Sequence, residues 1–203
     1  VLEEDDESMT YIEIDGGTFN VNGAMTIDGG QLEQISGSLN MATGGQMTVQ
    51  NGGDVIHAGG YHIDDGNTIN VDGAGSTWDN NGLLYVGYNT AGTLNLTNGA
   101  DLTTGNNFYV GRNVGADGTV LVDGTGTTFD ASHNVFVGGG PSTAGGAATF
   151  TVSNNGTLNV PDTLRIYDTA TFTLDGGTID TDRIQLVGSA SLLQGCFFVH
   201  KEK

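Results

Sequence analysis

The sequence predicts an all-β protein, a right-handed parallel β-helix with three short strands in each coil and about eight stacked coils. Three observations support this fold class. A hydrophobic pattern recurs at intervals of 22 to 30 residues along the 203-residue chain. Within each repeat, hydrophobic and polar residues alternate, as they do in strands with one buried face. Asp-Gly and Asn-Gly corners separate these runs, and such residues tolerate the left-handed backbone of sharp turns.

The clearest copies of the repeat lie between Gly92 and Gly140. One reads GTLNLTNGADLTTGNNFYVGRNVGAD, and the next, from Gly118, reads GTVLVDGTGTTFDASHNVFVGGG. Each has three alternating runs separated by polar corners. Stacked coils would place like residues in ladders about 4.8 Å apart, and neighbouring coils would bury one another's hydrophobic faces. The predicted inward anchors of the first runs are Met25, Met47, Ile69, Leu94, Val120, Phe150 and Phe172. The next inward column is Val55, Trp78, Leu102, Phe129, Leu158 and Ile179.

The array divides the chain into three parts. Residues 1–10 form an acidic tail, residues 11–189 form the parallel β-helix, and residues 190–203 form a C-terminal cap or assembly segment. The start of the array is less regular, because YIEI and AMTI both look like first runs yet lie too close together for a full coil. Either Ile12 begins an incomplete coil, or AMTI is a third run in a shifted register. Leu39 and Met41 make a plausible third run for the coil that starts at Met25.

Charge limits the classes of partner. The chain has 24 acidic and 5 basic residues, for a net charge of −19. Such a surface cannot neutralise phosphates, which argues against nucleic acid and against anionic lipid. No apolar run approaches the roughly 20 residues of a membrane-spanning helix, so no membrane insertion is expected. The chain begins at Val1 rather than Met, as a processed product would. We therefore expect an exported protein, extracellular or at the cell surface.

Four motifs follow one another in a specific order. They are VDGAGSTW (Val71 to Trp78), LYVG (Leu84 to Gly87), GTLNLTNGADL (Gly92 to Leu102) and the pair Val110-Gly111. This series resembles the repeats of type V secretion (autotransporter) passengers and of PEP-CTERM exported proteins, over roughly residues 47–168. The resemblance implies an exported β-helix that serves as a surface or matrix scaffold. It supplies no catalytic residue to transfer to this chain.

Corner carboxylates are the first candidates for chemistry. The simpler interpretation is an Asx-type turn, in which each carboxylate bonds local amides. The alternative is calcium held between stacked corners, which needs 6–8 oxygen ligands. The calcium-binding nonapeptide pattern is not reproduced, so we expect no cofactor or metal. Asp15, Asp28 and Asp65 are the acids that a calcium ion would use. The corner acids that precede glycine at the end of a run are Asp15, Asp28, Asp72, Asp123 and Asp175.

Polysaccharide-cleaving chemistry has little support. A glycosidase needs two carboxylates at a defined separation, and a lyase needs clustered basic groups. The outward acids form no recognisable pair, and the arginines fall in different coils. His57 and His62, separated by a Gly-Gly pair, are a loose arrangement for zinc and are expected to be polar corner residues. We therefore predict that the protein is not an enzyme. The outward acids considered are Glu13, Asp101, Asp162, Asp180 and Asp182, and the arginines are Arg112, Arg165 and Arg183.

Two outward rows suggest binding functions. Tyr85, Tyr109 and Phe136 occupy the same outward position of successive third runs, so they are predicted to form a surface aromatic ladder. Such a ladder could contact a sugar or a neighbouring rod, or its rings could stack only on one another. The main alternative function is therefore a carbohydrate-binding or carbohydrate-cleaving β-helix, with extracellular polysaccharide as partner. A third is ice binding by an outward threonine row. That row contains Thr26, Thr48, Thr151 and Thr173, interrupted by Asn70, Asn95 and Leu121.

The two ends of the array point to self-assembly. A solenoid leaves two open strand edges that can pair with another chain. One end carries LEEDDES and the other FFVHKEK, and opposite charges favour head-to-tail stacking into a filament. The alternative is that both tails are disordered or cap their own ends. The sequence thus predicts a non-enzymatic extracellular structural protein, a building block of a surface fibre, matrix or adhesin whose main partner is a second copy. Its expected contact residues are Leu192, Leu193, Phe197, Phe198 and Val199.

Overall fold

The computed structural model describes residues 11–195, which form 22 β-strands and no helix. Within this range, no helix is long and apolar enough to cross a membrane. In chain order the strands are β1 (Tyr11–Ile14), β2 (Thr18–Val21), β3 (Ala24–Asp28), β4 (Gln31–Gln34), β5 (Ser38–Met41), β6 (Gln46–Gln50), β7 (Asp54–His57), β8 (Tyr61–Ile63), β9 (Asn67–Asp72), β10 (Thr77–Asn80), β11 (Leu84–Val86), β12 (Ala91–Thr97), β13 (Asp101–Thr104), β14 (Phe108–Val110), β15 (Asp117–Asp123), β16 (Thr128–Ala131), β17 (Val135–Val137), β18 (Ala147–Ser153), β19 (Thr157–Tyr167), β20 (Ala170–Asp175), β21 (Thr178–Val187) and β22 (Leu192–Gln194).

These strands wind into stacked coils with three faces, and all pairs of named strands are parallel. The first face is one eight-stranded sheet, β3-β6-β9-β12-β15-β18-β20-β22. The second face runs from β1 through β4, β7, β10, β13 and β16 into β19 and β21. The third face has two parts: the pair β2-β5, and β8-β11-β14-β17 continuing into β19 and β21. The predicted fold class, a parallel β-solenoid of about eight coils, is confirmed, while the hand of the coil stays a prediction.

In-register pairing builds the core from rows of like side chains. The predicted first-run anchors pair with one another from β3 to β20, and Leu192 of β22 extends the row beyond Phe172. The middle anchors, such as Ile69 and Leu94, are fully buried. Towards the C-terminal end of the row, Phe150 and Phe172 stack with ring centroids 5.0 Å apart. Each row is therefore buried by its neighbours along the solenoid axis rather than by a second layer of structure.

The pairing decides the register of the first coils. β1 pairs with β4, so Ile12 lies on the second face and begins an incomplete coil. The first of the two alternatives left open by the sequence is therefore confirmed. The interpretation of YIEI as a first run is wrong, because that column begins at β3, which pairs with β6. Leu39 and Met41 form the third-face strand of their coil and pair with Phe19 and Val21, as expected.

The corner between the second and third faces contains an inward polar row that the sequence did not reveal. Each of these buried side chains lies within hydrogen-bonding distance of a carbonyl in the corner that follows it, which satisfies backbone groups inside the turn. The side chain changes from coil to coil while the bond is kept. The contacts are Gln34 Nε2 with Gly37 O (3.0 Å), His57 Nδ1 with Gly59 O (3.1 Å), Asn80 Nδ2 with Gly82 O (3.0 Å) and Thr104 Oγ1 with Asn106 O (3.2 Å).

Candidate functional site

The outward row of the third face contains the aromatic side chains singled out from the sequence. Tyr85, Tyr109 and Phe136 pair in register on β11, β14 and β17. The first two rings stack with centroids 4.8 Å apart, and the second and third with centroids 5.0 Å apart. These separations match the spacing of neighbouring strands, so the stack follows directly from the parallel register.

Most of this ladder does not lie at the surface, which corrects the prediction of a surface ladder. Tyr109 and Phe136 are only 6% and 4% exposed. The guanidinium of Arg112 lies over the Tyr109 ring at 5.5 Å, and that of Arg165 lies over Phe136 at 5.7 Å. Gly140 lies close to the Arg112 guanidinium, where an added Cβ would meet Cζ at 2.6 Å. Only Tyr85 remains half-buried and accessible.

The two arginines therefore reach one face although they come from different coils. Sequence spacing separated Arg112 from Arg165, but the coil geometry places both along the same aromatic row. Their charges lie against the faces of aromatic rings, a favourable cation–π arrangement. Arg183, by contrast, donates to Thr163 Oγ1 from its Nη2 at 3.1 Å on the neighbouring strand. The three cations thus have structural contacts rather than forming one basic cluster.

The accessible end of the row is a cluster of three rings. His62 of β8 pairs with Tyr85, and their ring centroids lie 4.5 Å apart. Tyr88, in the corner after β11, lies 4.7 Å from His62 and 4.8 Å from Tyr85. His62 is exposed, while Tyr85 and Tyr88 are half-buried, and burial raises the pKa of Tyr85. We call these residues, His62, Tyr85 and Tyr88, the aromatic cluster.

A cleft opens beside the aromatic cluster, where the third face is interrupted. β8 ends one part of that face and β5 ends the other, and the two strands do not pair. Among residues 11–195 this is the one place on the three faces where strands of adjacent coils fail to join. The space between them has a volume of about 570 Å³. We call it the third-face cleft, and its lining includes Ser38, Asn40, Tyr61, His62, Asp64 and Asn67.

Two side chains set the electrostatics of the third-face cleft. His57 is buried at its base, and burial lowers the pKa of the imidazole, which keeps it neutral near pH 7. Asp64 Oδ1 accepts the backbone N–H of Tyr88 at 2.6 Å, so the carboxylate positions the corner that carries this ring. Its other oxygen lies 3.9 Å from His62 Nδ1. From the sequence, His57 and His62 were expected to be separate polar corner residues. Nothing in the sequence predicted that β5 and β8 would not pair.

Four of the five corner carboxylates correct a second prediction, because Asp15, Asp28, Asp72 and Asp123 accept hydrogen bonds from the next coil. Asp72 Oδ1 accepts the hydroxyl of Thr97 at 2.5 Å and the amide of Asn98 at 2.6 Å. Asp28 accepts from Gln50 and Asn51, and Asp123 from Ser153 and Asn154, in the same way. Asp15 and Asp65, the other acids considered for calcium, likewise accept hydroxyls of the next coil, from Ser36 (2.8 Å) and Thr90 (3.1 Å).

Carboxylates and donors alternate along this corner row. Coil by coil, the in-register positions are Asp28, Gln50, Asp72, Thr97, Asp123 and Ser153. No two acids are therefore adjacent in this row, and each carboxylate has a donor beside it. From β10 onward the second face repeats the alternation, where Thr103 donates to Asp79 at 2.6 Å and Asn159 to Asp130 at 2.5 Å. At the start of that face, by contrast, Glu13 and Glu33 are adjacent in register. Within the described range, no group of three or more His, Cys, Asp or Glu side chains could hold a metal ion.

Two of the five predicted assembly residues, Leu192 and Leu193, lie on the last described strand. Leu192 is half-buried against the core, and Leu193 is 54% exposed. The strand that carries them, β22, pairs with β20 and extends the first face past residue 189. Phe197, Phe198 and Val199 lie outside the described residues.

The outward threonine row proposed for ice binding is present on the first face but is not uniform. Thr48, Asn70, Asn95 and Leu121 pair in sequence along it. The amide of Asn95 donates to Asn70 Oδ1 at 2.9 Å, so these two side chains bond to each other. A regular array of threonine hydroxyls is therefore broken in the middle of the rod.

Comparison of the chain with protein-family models, with curated proteins and with solved structures found no match.

Proposed function

We propose that this chain is a non-enzymatic extracellular structural protein, a stiff rod that serves as a building block of a surface fibre, a matrix or an adhesin. The observation that carries the proposal is the continuous inter-coil bonding along the rod. In-register parallel strands join coil to coil, and the corner and second-face ladders add side-chain bonds between the same coils. Bending or shearing one junction would break several of these bonds together, because strands on more than one face cross each junction.

The ladders also explain how an acidic rod stays intact. Because donors separate the carboxylates along the corner row from Asp28 to Ser153, like charges on that row lie about 10 Å apart, roughly two strand spacings. At physiological ionic strength this is beyond the Debye length of about 8 Å. The rod therefore needs no calcium to neutralise its corners, and the proposed scaffold would hold its shape when divalent cations are removed.

End-to-end stacking of copies is the proposed mode of assembly. The first described coil leaves Phe19 and Met25 only partly buried, whereas the middle coils bury their inward residues. At the other end two inward positions are incompletely covered: Leu186, which pairs with Ile166, is 47% exposed, and Leu192, which pairs with Phe172, is only partly buried. A second copy stacked there would cover these apolar groups and pair the free strand edges. Residues 3–7 are all acidic and the segment after residue 199 is basic, so opposite charges would meet at such a junction.

Electron microscopy of the purified protein tests the proposal. Wild-type protein should form thin fibres at high concentration, with an axial repeat near the rod length of about 40 Å. Fibres should persist in EDTA. The variant Leu186→Glu, which charges an exposed inward position of the last coil, should remove them. Val114→Glu is the matched control, because Val114 is 86% exposed in a corner along the side of the rod. Isolated short rods at every concentration would refute self-assembly, and so would equal loss of fibres in both variants.

A further inference from the structure

The third-face cleft has the chemistry of a ligand site, and backbone N–H and C=O groups of β8 form part of its wall. Tyr61 N–H donates to Leu83 O at 2.8 Å and Ile63 O accepts from Gly87 N at 2.9 Å, both on the side away from β5. Because backbone groups of successive strand residues point to opposite sides, the N–H and C=O of His62 point into the cleft. They meet no strand there, since β8 and β5 do not pair.

The opposite wall presents backbone groups in the same manner. Ser38 N donates to Gly17 O and Ala42 N to Val21 O, both at 2.9 Å and both on the side of β2. The backbone groups of Leu39 and Met41 therefore point toward β8 across the cleft. Two strand edges thus face each other at the walls, and a ligand between them would meet donors and acceptors on both sides.

Side chains add planar polar groups. Asn67 Oδ1 accepts the N–H of Gly45 at 2.9 Å, which leaves its amide NH₂ without a partner among the described residues. The hydroxyl of Ser38 is likewise unpaired within residues 11–195. One oxygen of Asp64 holds the Tyr88 corner, and the other faces His62 at 3.9 Å. The lining therefore offers an amide donor, a hydroxyl and a carboxylate acceptor within one cavity.

The aromatic cluster continues this lining outward. His62 belongs to both the cleft and the cluster, and Tyr85 and Tyr88 lie within 5 Å of it, at 4.5 and 4.7 Å between ring centroids. A ligand leaving the cleft along the third face would thus pass from polar walls to ring surfaces. A sugar chain has the matching chemistry. Its hydroxyl groups form hydrogen bonds with amides and carboxylates, and the C–H faces of its rings pack on aromatic rings.

We infer that the third-face cleft and the aromatic cluster together bind a short, uncharged oligosaccharide. The cleft volume of about 570 Å³ falls within the range of about 300–1,000 Å³ found for small-molecule sites. The carboxylates of Asp64 and Asp65 and the net charge of −19 disfavour phosphorylated or acidic glycans. This inference concerns the side of the rod and does not depend on end-to-end assembly. An extended peptide that pairs with the strand edges is the competing ligand class.

Blocking the cleft provides the sharpest test. A Cβ at Gly59, which lines the cleft, meets no heavy atom within 4 Å, so Gly59→Phe adds a large ring to the cleft lining without a clash at its Cβ. Gly17→Phe is the matched control, because Gly17 is equally open and does not line the cleft. Tyr88→Ala removes one ring of the aromatic cluster, and Tyr11→Ala removes an exposed ring at the first coil. Circular dichroism and urea denaturation establish that each variant folds.

The probes are tetrasaccharides of uncharged hexoses, pentoses and N-acetylhexosamines in both linkage configurations, followed by calorimetry on any that bind. Trp78 is the single tryptophan, and its ring lies 5.8 Å from Tyr61 in the cleft wall, so its fluorescence offers a second signal. We expect at least one sugar to bind, with affinity at least tenfold weaker in Gly59→Phe and Tyr88→Ala and unchanged in both controls.

Three results would overturn the inference: no binding across the panel, equal binding by Gly59→Phe and wild type, or capture of extended peptides but not sugars. Fibre formation by Gly59→Phe, followed by electron microscopy, separates this site from the proposed scaffold function. Fibres formed by wild-type protein that binds no sugar in the panel would leave the scaffold standing and refute the binding site alone.

Discussion

Replacing Thr97 by Asp tests whether the alternation of acids and donors stabilises the rod. Thr97 is half-buried between Asp72 on β9 and Asp123 on β15, and it pairs in register with both. Its hydroxyl donates to Asp72 Oδ1 at 2.5 Å. The change Thr97→Asp would put three carboxylates in adjacent coils and remove this hydrogen bond. The amide of Asn98, which also bonds Asp72, would remain.

The expected cost has two parts. Two like charges about 5 Å apart repel by about 1 kcal/mol in a water-like dielectric, so two new neighbours contribute about 2 kcal/mol at low salt. The lost hydrogen bond contributes about 1 kcal/mol more. The free energy of unfolding should therefore fall by about 3 kcal/mol at low ionic strength. At 0.15 M salt the Debye length is about 8 Å, which reduces the repulsive part by roughly half.

Urea denaturation followed by circular dichroism, at 10 mM and 500 mM NaCl, measures both parts. Thr97→Val is the matched control, because it keeps the branched shape and loses only the hydroxyl. We expect Thr97→Val to be about 1 kcal/mol less stable than wild type at either salt concentration. Thr97→Asp should be less stable than Thr97→Val at low salt. Its free energy of unfolding should approach that of the Val variant at high salt, and also below pH 4, where the new carboxylate takes up a proton.

Equal urea midpoints for the Asp and Val variants at low salt would contradict this prediction. A difference in stability that does not change with salt would contradict it too, because repulsion between half-exposed carboxylates must be screened. Either result would mean that the ladder spacing has no electrostatic role, and the account of how the acidic rod stays intact would lose its basis.

Three further changes probe other parts of the rod. Burial lowers the pKa of His57, so stability should fall as pH drops below about 6.5, where the unfolded chain takes up a proton that the native imidazole resists. His57→Asn should reduce this loss between pH 7.5 and 5 in urea titrations, and an unchanged loss would contradict it. Gly118→Ala should lower the melting temperature because its Cβ would lie 2.3 Å from Val86 O, whereas Ala148→Gly in the same row should cost at most about 1 kcal/mol. Equal losses of stability in the two variants would show that the close contact with Val86 O does not cause the destabilisation. Leu94→Ala, at a fully buried position, should cost about 2–5 kcal/mol in urea denaturation, and a loss below 1 kcal/mol would argue against the packed core.

The sequence was most informative where the fold repeats itself. Alternation along each run identified inward residues such as Leu94 and Leu102, since a period of two already states which face of a strand is buried. Matching anchors then predicted in-register stacking, and Tyr85, Tyr109 and Phe136 align on one row as the pattern indicated. The irregular first coils could not be resolved, because β1 and β3 have the same alternation and only their pairing partners tell them apart.

Local interpretation failed where side chains bond across coils. Asp72 looked like an ordinary turn residue, since Asp before Gly is the usual composition of a sharp corner. Its partners, Thr97 and Asn98, are 25 and 26 residues away in sequence, so only stacking reveals the ladder. The exposure of Tyr109 was also misjudged, because the Arg112 side chain and the loop packed on it come from the following corner regions.

By itself, the sequence determined the solenoid, its three columns and its core, because a repeated pattern of period two can bury its apolar face only by stacking in register. The tertiary structure alone decided which neighbours each residue has in the next coil. The pairing between neighbouring coils places donors beside the corner carboxylates and arginines over the aromatic row. Where β5 and β8 do not pair, it leaves the third-face cleft. Strand pairing depends on corner lengths and on contacts 20 to 31 residues apart, which alternation along one run does not encode.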